Sequence, residues 1–359
     1  MQFLDWRSLD KHVEVAHGEV DAERFTLYSI FHNELFFCAP FLDHYRSIGV
    51  EQFIIYDDNS SDGTREFLET QPDTVVLRSD FNYSDRVWCR PSSRTISKKG
   101  FHHFLKSAIP KFFLGHRFAL CADADEFLLL PPDASDVRAV VDGLHSIQAG
   151  AIVSSLVDFF PQHVSGMKVD LRPRISADLF NSYGFFEETR IVDVDGSGMP
   201  VSVNPDKLRQ LFLVAGISTD NRRRRRLFHN LRRRDRRNEM SYKTPIVRHD
   251  ADVFYRTSHR VNRSAPDNRL LTMAHFVFTA NSYQKACNAV RESHRRSRVE
   301  KYKKFLCLID KFEREERPLA GTHSQRFENV QQLLDADLMR WPETQARDTS
   351  SKSDSTRSR

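Results

Sequence analysis

A run at residues 118–127, FALCADADEF, places Asp123 and Asp125 two residues apart in an extended stretch. Side chains at that spacing leave a strand on the same side, while Ala124 points the other way. Two carboxylates so placed are hard oxygen ligands for Mg²⁺ or Mn²⁺, an ion that neutralises a diphosphate and favours its departure. An isolated acidic pair of this kind is ordinarily a solvated turn. Here it closes one apolar run and is followed by another, Leu128-Leu129-Leu130, which holds it against a core. A second acidic cluster, Asp57-Asp58, opens the turn-rich segment DDNSSDGT at 57–64 directly after the apolar IIY. Its later residues suit a strand-to-helix turn with a cap, from Asp62 or Ser61. The adjacent pair Asp57-Asp58 is free for another task, accepting hydrogen bonds from a nucleobase or from ribose hydroxyls. Lys243, in YKTPIVR, is a candidate phosphate contact, with Arg248 beside it; a lone lysine there is ordinarily a snorkelling surface residue.

The elements that would position these groups are legible as alternating patterns. Residues 24–31, 52–56, 74–77, 118–121 and 151–157 read as short buried strands. Residues 35–48, 65–69, 93–113 and 137–147 read as helices between them, with Gly49 as a stop. This alternation predicts an α/β fold with a mostly parallel sheet flanked by helices. Ligands bind such sheets at the C-terminal ends of the strands. Asn33-Glu34, Asp57-Asp58-Asn59 and Asp123 to Glu126 all fall at such ends and are expected to converge. Beyond residue 160 the pattern weakens. A long charged helix is expected over 281–316 and an amphipathic one over 323–340. The polar tail 343–359 is expected to be disordered.

The motifs together, NE at 33–34, HYRSIGVEQFIIYDDNSSDGT at 44–64 and RFALCADADEF at 117–127, resemble the nucleotide-sugar-binding half of glycosyltransferase family 2, of GT-A fold. YKTPIVR, TSHR and MAHF further on resemble the C-terminal part of a bacterial subgroup of that family, so the likeness covers roughly 24–310. It implies a lead-in at 1–23, a GT-A domain at 24–280 (nucleotide half 24–130, acceptor half 131–280) and a helical C-terminal extension at 281–342. It also implies that Asp57 and Asp58 hold the nucleoside of a UDP- or dTDP-type sugar donor, with Asn33, Glu34 and Asp123 nearby. Asp123 and Asp125 would bind Mn²⁺ or Mg²⁺, Asp125 the more directly, with His275 or His259 as a further ligand. An inverting transfer needs a carboxylate to deprotonate the acceptor hydroxyl. The family's Glu-Asp pair is not evident, and Asp158, Asp178, Glu187 and Glu188 are the candidates. Glu187-Glu188 follow YGFF, whose rings would stack on a sugar. The implied acceptor is a glycan or a lipid-linked saccharide.

Residues 221–237, NRRRRRLFHNLRRRDRR, hold ten arginines and one aspartate, a local charge of +9 that leaves the rest of the chain at −4 against a total of +5. Such a segment stays out of a core. It would attract an anionic membrane surface or a polyanionic acceptor. Its sparse aromatic content argues against nucleic acid. The five cysteines are odd in number and widely spaced, with no CxxC, as expected of reduced thiols in a cytosolic protein. No secretory signal and no run of about 18 apolar residues is visible. A cytoplasmic protein, peripheral at the inner membrane face through 221–237, is the expectation. P-loop, GxSxG and HExxH motifs are missing. Two other functions fit the sequence: a nucleotidyltransferase using the same acidic site, although FHNELFF replaces the Gly-rich basic loop such enzymes carry, and a non-catalytic polyanion binder built on the arginine run.

Overall fold

A computed structural model describes residues 3–217, 241–292 and 296–342. The arginine run and the C-terminal tail lie outside the described residues. The centre is a nine-stranded sheet made of β1 (Glu14–His17), β2 (Thr26–Phe31), β3 (Gln52–Asp57), β4 (Thr74–Arg78), β5 (Phe118–Cys121), β6 (Glu126–Leu129), β7 (Ala151–Asp158), β8 (Tyr242–Arg248) and β9 (Leu271–His275). Their spatial order is β1-β4-β3-β2-β5-β8-β7-β9-β6. Strands β4, β3, β2 and β5 pair in parallel, as do β7 and β9. β8 runs antiparallel between β5 and β7, and β1 and β6 run antiparallel at the two edges. The sheet is therefore mixed, not mostly parallel. The βαβ pattern of residues 24–157 is local and is silent on how the later strands enter. β8 arrives from outside that pattern and inserts head-to-tail. β2, β3, β4, β5, β7 and β9 nonetheless all run one way, so their C-terminal ends share one edge.

Alternation along the strands divides two cores. Phe53, Ile55, Leu27, Phe31, Phe118 and Leu120 face one side, against α1 (Leu35–Ser47) and α4 (Val137–Ser146). Ile54, Tyr56, Tyr28, Ala119 and Cys121 face the other, against α3 (Phe101–Leu114). Period-two burial on both faces is what a sheet covered by helices requires. Each large side chain so buried contributes about 1.5–3 kcal/mol. Helix α5 (Ser176–Ser182) is tied to α1 by its Ser176 amide, which donates to Asp43. A third cluster joins α6 (Lys207–Val214), α7 (Ala280–Glu292) and α8 (Arg296–Arg314) through Phe212, Phe278, Ala286 and Leu308.

Several expectations are corrected. Residues 93–100 are not helical: Arg86–Ser92 and Thr95–Gly100 form a hairpin, joined in parallel by Phe3–Asp5. Its alternating burial is the strand period that the helical reading overlooked. The long helix expected over 281–316 is two helices, α7 and α8. Residues 323–340 contain a short strand, Ser324–Arg326, and a one-turn helix, Gln331–Asp335, in place of an amphipathic helix. The lead-in is part of the fold, because β1 edges the main sheet. All five cysteines are free. Among the described residues no helix is long and apolar enough to cross a membrane.

Lys111, on the inner face of α3, donates to the carbonyls of Pro91 and Val253 and lies 5.1 Å from the Trp6 ring centre. Burial pushes its ammonium down to about 7, against the weaker pull of Asp252 and Asp5. Between that value and the ordinary ~10.4 the unfolded chain holds a proton that the folded chain lacks. Lys111 thus contributes stability that is full above this window and lost as pH falls through it. Urea unfolding of wild type and Lys111→Met should show the wild type gaining on the variant from about pH 7 to about pH 9. An unchanged difference between the two pH values would contradict the assignment.

Candidate functional site

At the C-terminal edge of the parallel strands, the turn after β2 and the loop after β3 are clamped to each other. Asn33 takes a left-handed conformation (φ 57°), and its Oδ1 accepts from the Ser61 amide at 2.7 Å. Its own amide donates to Ser60 Oγ at 3.0 Å. Asp62 accepts from the amides of Leu35 and Thr64, tying α1 to the start of α2 (Thr64–Glu69). Asp57 is buried and accepts from the Ser60 amide at 3.2 Å. Asn33 and Asp57 therefore build the loop that presents their neighbours. Asp58 is only partly buried. Its Oδ1 accepts from the Tyr83 amide at 2.9 Å, and burial raises its carboxyl. Glu34 meets Lys285 of α7 at 2.7 Å. Burial, with the charge of Asp125, raises it to about 7 against the pull of Lys285.

The second acidic cluster meets two buried lysines. Lys106 from α3 and Lys243 from β8 are each 1% exposed, and they bind the two oxygens of Asp123 at 2.8 and 2.6 Å. Lys243 also bridges to buried Glu126, whose Oε2 accepts the Asp123 amide at 2.7 Å. Burial alone would raise the Asp123 carboxyl, but the two ammonium groups outweigh it and hold it well below the usual range. Lys243 is thus no snorkelling residue, because β8 runs in reverse and carries it just past the end of β5, opposite Ser154 in the middle of β7. The same reversal sends Arg248, which pairs with Phe118 at the start of β5, to the opposite edge.

The third group stands at the ends of β7 and β9, where Asp158 and His275 are neighbours in register. His275 Nδ1 is 2.8 Å from Asp158 Oδ1, and its Nε2 is 3.7 Å from Asp125 Oδ2. Burial disfavours the imidazolium, yet the Asp158 hydrogen bond and the Asp125 charge push it up to about 9. His259 is placed differently. Its Nδ1 faces the Tyr242 carbonyl at 3.0 Å, and burial together with Lys243 drives it down to about 4.

Among the described residues no group of three or more His, Cys, Asp or Glu forms a metal-binding set. The donor chemistry of one pair does fit a Mn²⁺ or Mg²⁺ ion that takes its other ligands from water and substrate. An imidazole whose far nitrogen is held by a carboxylate, with its near nitrogen facing a second carboxylate, is a familiar metal-ligand arrangement. Asp125 and His275 meet this description, with the ion displacing the Nε2 proton of the imidazolium. Asp123 departs from the expectation of a paired ligand, since both its oxygens are engaged by ammonium groups.

A narrow recess of about 10 Å³, the size of a single water, lies beside this group, lined by the charged Asp158, Glu187, Asp206 and Lys207 and by the apolar Ile191 and Leu338. Of the carboxylates expected to act as base, Asp158 is engaged by His275 and by the Leu208 amide. Glu187 is engaged by Lys207 and Ser324. Glu188 is paired with Gln325 at an exposed position. Asp178 is a helix cap, accepting from the amides of Arg174 and Ile175. Asp206 escaped the sequence reading, because PDKL looks only like a helix start. It does cap α6, at the Arg209 amide, and its second oxygen meets the Arg209 guanidinium at 2.9 Å. Burial and the neighbouring Asp158 raise its carboxyl to about 6. Lys106 was overlooked as well, although a charge inside the apolar run FHHFLKSAIPKFFL was a visible signal.

No protein-family model matches the chain, and no curated protein matches it significantly.

Proposed function

We propose that this chain is a GT-A glycosyltransferase that moves a sugar from a nucleoside diphosphate donor of UDP or dTDP type to an acceptor hydroxyl on a glycan or lipid-linked saccharide. The observation that carries the reading is the Asp125–His275–Asp158 relay at the shared C-terminal edge of the strands, with Asp206 at its flank. Asp125 and His275 would hold a Mn²⁺ or Mg²⁺ ion, which when bound neutralises diphosphate charge and so favours the leaving nucleotide. Asp158 keeps Nδ1 of His275 occupied and Nε2 directed at Asp125. The loop built by Asn33 and Asp57 presents Asp58 towards the nucleoside. Asp206, whose second oxygen is held by the Arg209 guanidinium, would take the proton from the acceptor hydroxyl on letting go of that partner. Its carboxyl titrates nearer neutrality than an ordinary aspartate, which suits a general base. A cytoplasmic location belongs to the same proposal.

The test is calorimetric titration of UDP, dTDP and GDP with and without Mn²⁺, followed by release of the bound nucleotide from its sugar conjugates. One nucleotide should bind in a metal-dependent way to wild type and lose that dependence in Asp125→Ala. If none binds under any condition, the proposal is wrong.

A further inference from the structure

The small three-stranded sheet has one face packed and one face bare. Leu4, Val87 and Cys89 point inward, into the core around α3. Alternate residues point outward: Phe3 is 45%, Trp88 43% and Ile96 55% exposed. Phe3 pairs with Trp88, and Trp88 with Lys98, so an aromatic pair and a cation lie across one row. Arg86 is exposed on the same strand as Trp88, and its Nη2 donates to the Lys98 carbonyl at 3.3 Å. Arg90 follows on that face, at 3.4 Å from Asp5, and Arg94 stands in the hairpin turn, at 3.3 Å from Asp252. The cations Arg86, Arg90, Arg94 and Lys98 outnumber these two acids.

We propose that this face docks the protein on an anionic lipid surface. Three large apolar side chains share one exposed sheet face, and an apolar patch rimmed by polar groups is the mark of an interaction site. Tryptophan with neighbouring aromatic and aliphatic groups suits the boundary between headgroups and acyl chains. The surrounding cations complement anionic headgroups, each adding attraction that falls off within a Debye length. The hairpin continues through Asp85, whose carbonyl accepts the Phe101 amide, to Tyr83, whose amide binds Asp58. Docking would therefore set the rim of the candidate site at a fixed distance from the bilayer. The proposal stands apart from sugar transfer, since it needs only this face.

The experiment is cosedimentation of the full chain with vesicles of phosphatidylcholine alone or mixed with phosphatidylglycerol. Wild type should bind only the mixed vesicles and release at high salt. Trp88→Ser/Ile96→Ser and Arg86→Glu/Lys98→Glu should each weaken binding about tenfold or more. The arginine run at 221–237 would also favour an anionic surface, so a local readout is included. Brominated acyl chains should quench tryptophan emission in wild type, and the quenched component should vanish in Trp88→Phe. Unaltered vesicle binding in both double variants, or quenching that persists in Trp88→Phe, would overturn the proposal. So would sedimentation showing a dimer that only Trp88→Ser/Ile96→Ser dissociates, because the face would then be covered by a second copy of the chain.

Discussion

Asp206→Asn is expected to lower kcat by about 10²- to 10⁴-fold, the usual worth of a positioned general base. Nucleotide affinity should be unchanged, because Asp206 lies in the recess and not among the groups that would hold the donor. Asparagine keeps the shape and can still accept the Arg209 amide at the start of α6, and the ion pair to the Arg209 guanidinium that it gives up is worth about 1 kcal/mol or less, so folding should be little affected. The pH profile separates a base from a merely structural residue. With the carboxyl raised to about 6, activity should climb as pH rises through that value, since only the ionised form accepts a proton. That limb should be missing in the residual activity of the variant. Glu187→Gln gives the contrast: its carboxylate already holds Lys207 and Ser324, so its loss should reduce stability more than it alters the pH profile. A variant Asp206→Asn with near-normal kcat and an intact limb would remove Asp206 from the mechanism.

Lys243→Met should destabilise the fold by about 3–5 kcal/mol, the range for breaking a buried ion pair from one side. Among the described residues Lys243 is the ammonium partner of Glu126, and it shares Asp123 with Lys106. Without it, buried Glu126 faces the partly exposed Asp123 with one cation fewer. Glu126 responds by taking up a proton. Its carboxyl is already raised, by burial first and by the charge of Asp123 second, with Lys243 opposing. A carboxyl raised in the folded state supplies stability at low pH that is lost as pH climbs above its unfolded value towards its folded one. The variant should therefore be weaker near pH 8 than near pH 5, measured by urea unfolding. Adding Glu126→Gln should restore a large part of the loss, since the orphaned charge is then gone. If the double variant is no more stable than Lys243→Met, the quartet is not coupled as described.

These two sites differ in how far they could be read in advance. Strands β2, β3, β5 and β7 and helices α1 and α4 lie where hydrophobic alternation, turn formers and Gly49 put them, to within a residue or two. That information is local, held in side-chain period and cap chemistry. The hairpin at 86–100 escaped because its outward residues include Trp88 and Ile96, which blur an in–out pattern. Asp123 and Asp125 were visible as a pair, but not that the first would be enclosed by two lysines and the second aimed at an imidazole. Asp57 and Asp58 were equally visible. The loop turns one carboxylate inward to brace itself and leaves the other at the rim.

By itself the sequence determined the parallel α/β block, the collection of acids at its strand ends, and His275 and His259 as the histidines to weigh. Tertiary structure decided the rest, because it hangs on strand order and register. The reversed β8 places Lys243 at Asp123, 120 residues away. The parallel pairing of β7 with β9 seats His275 on Asp158 across 117 residues, and the turn after β5 swings Asp125 to its other nitrogen. A helix start at Asp206 then becomes the wall of a recess. No local period carries such pairings, since they arise only when segments far apart in the chain share one buried edge and must satisfy each other's charges.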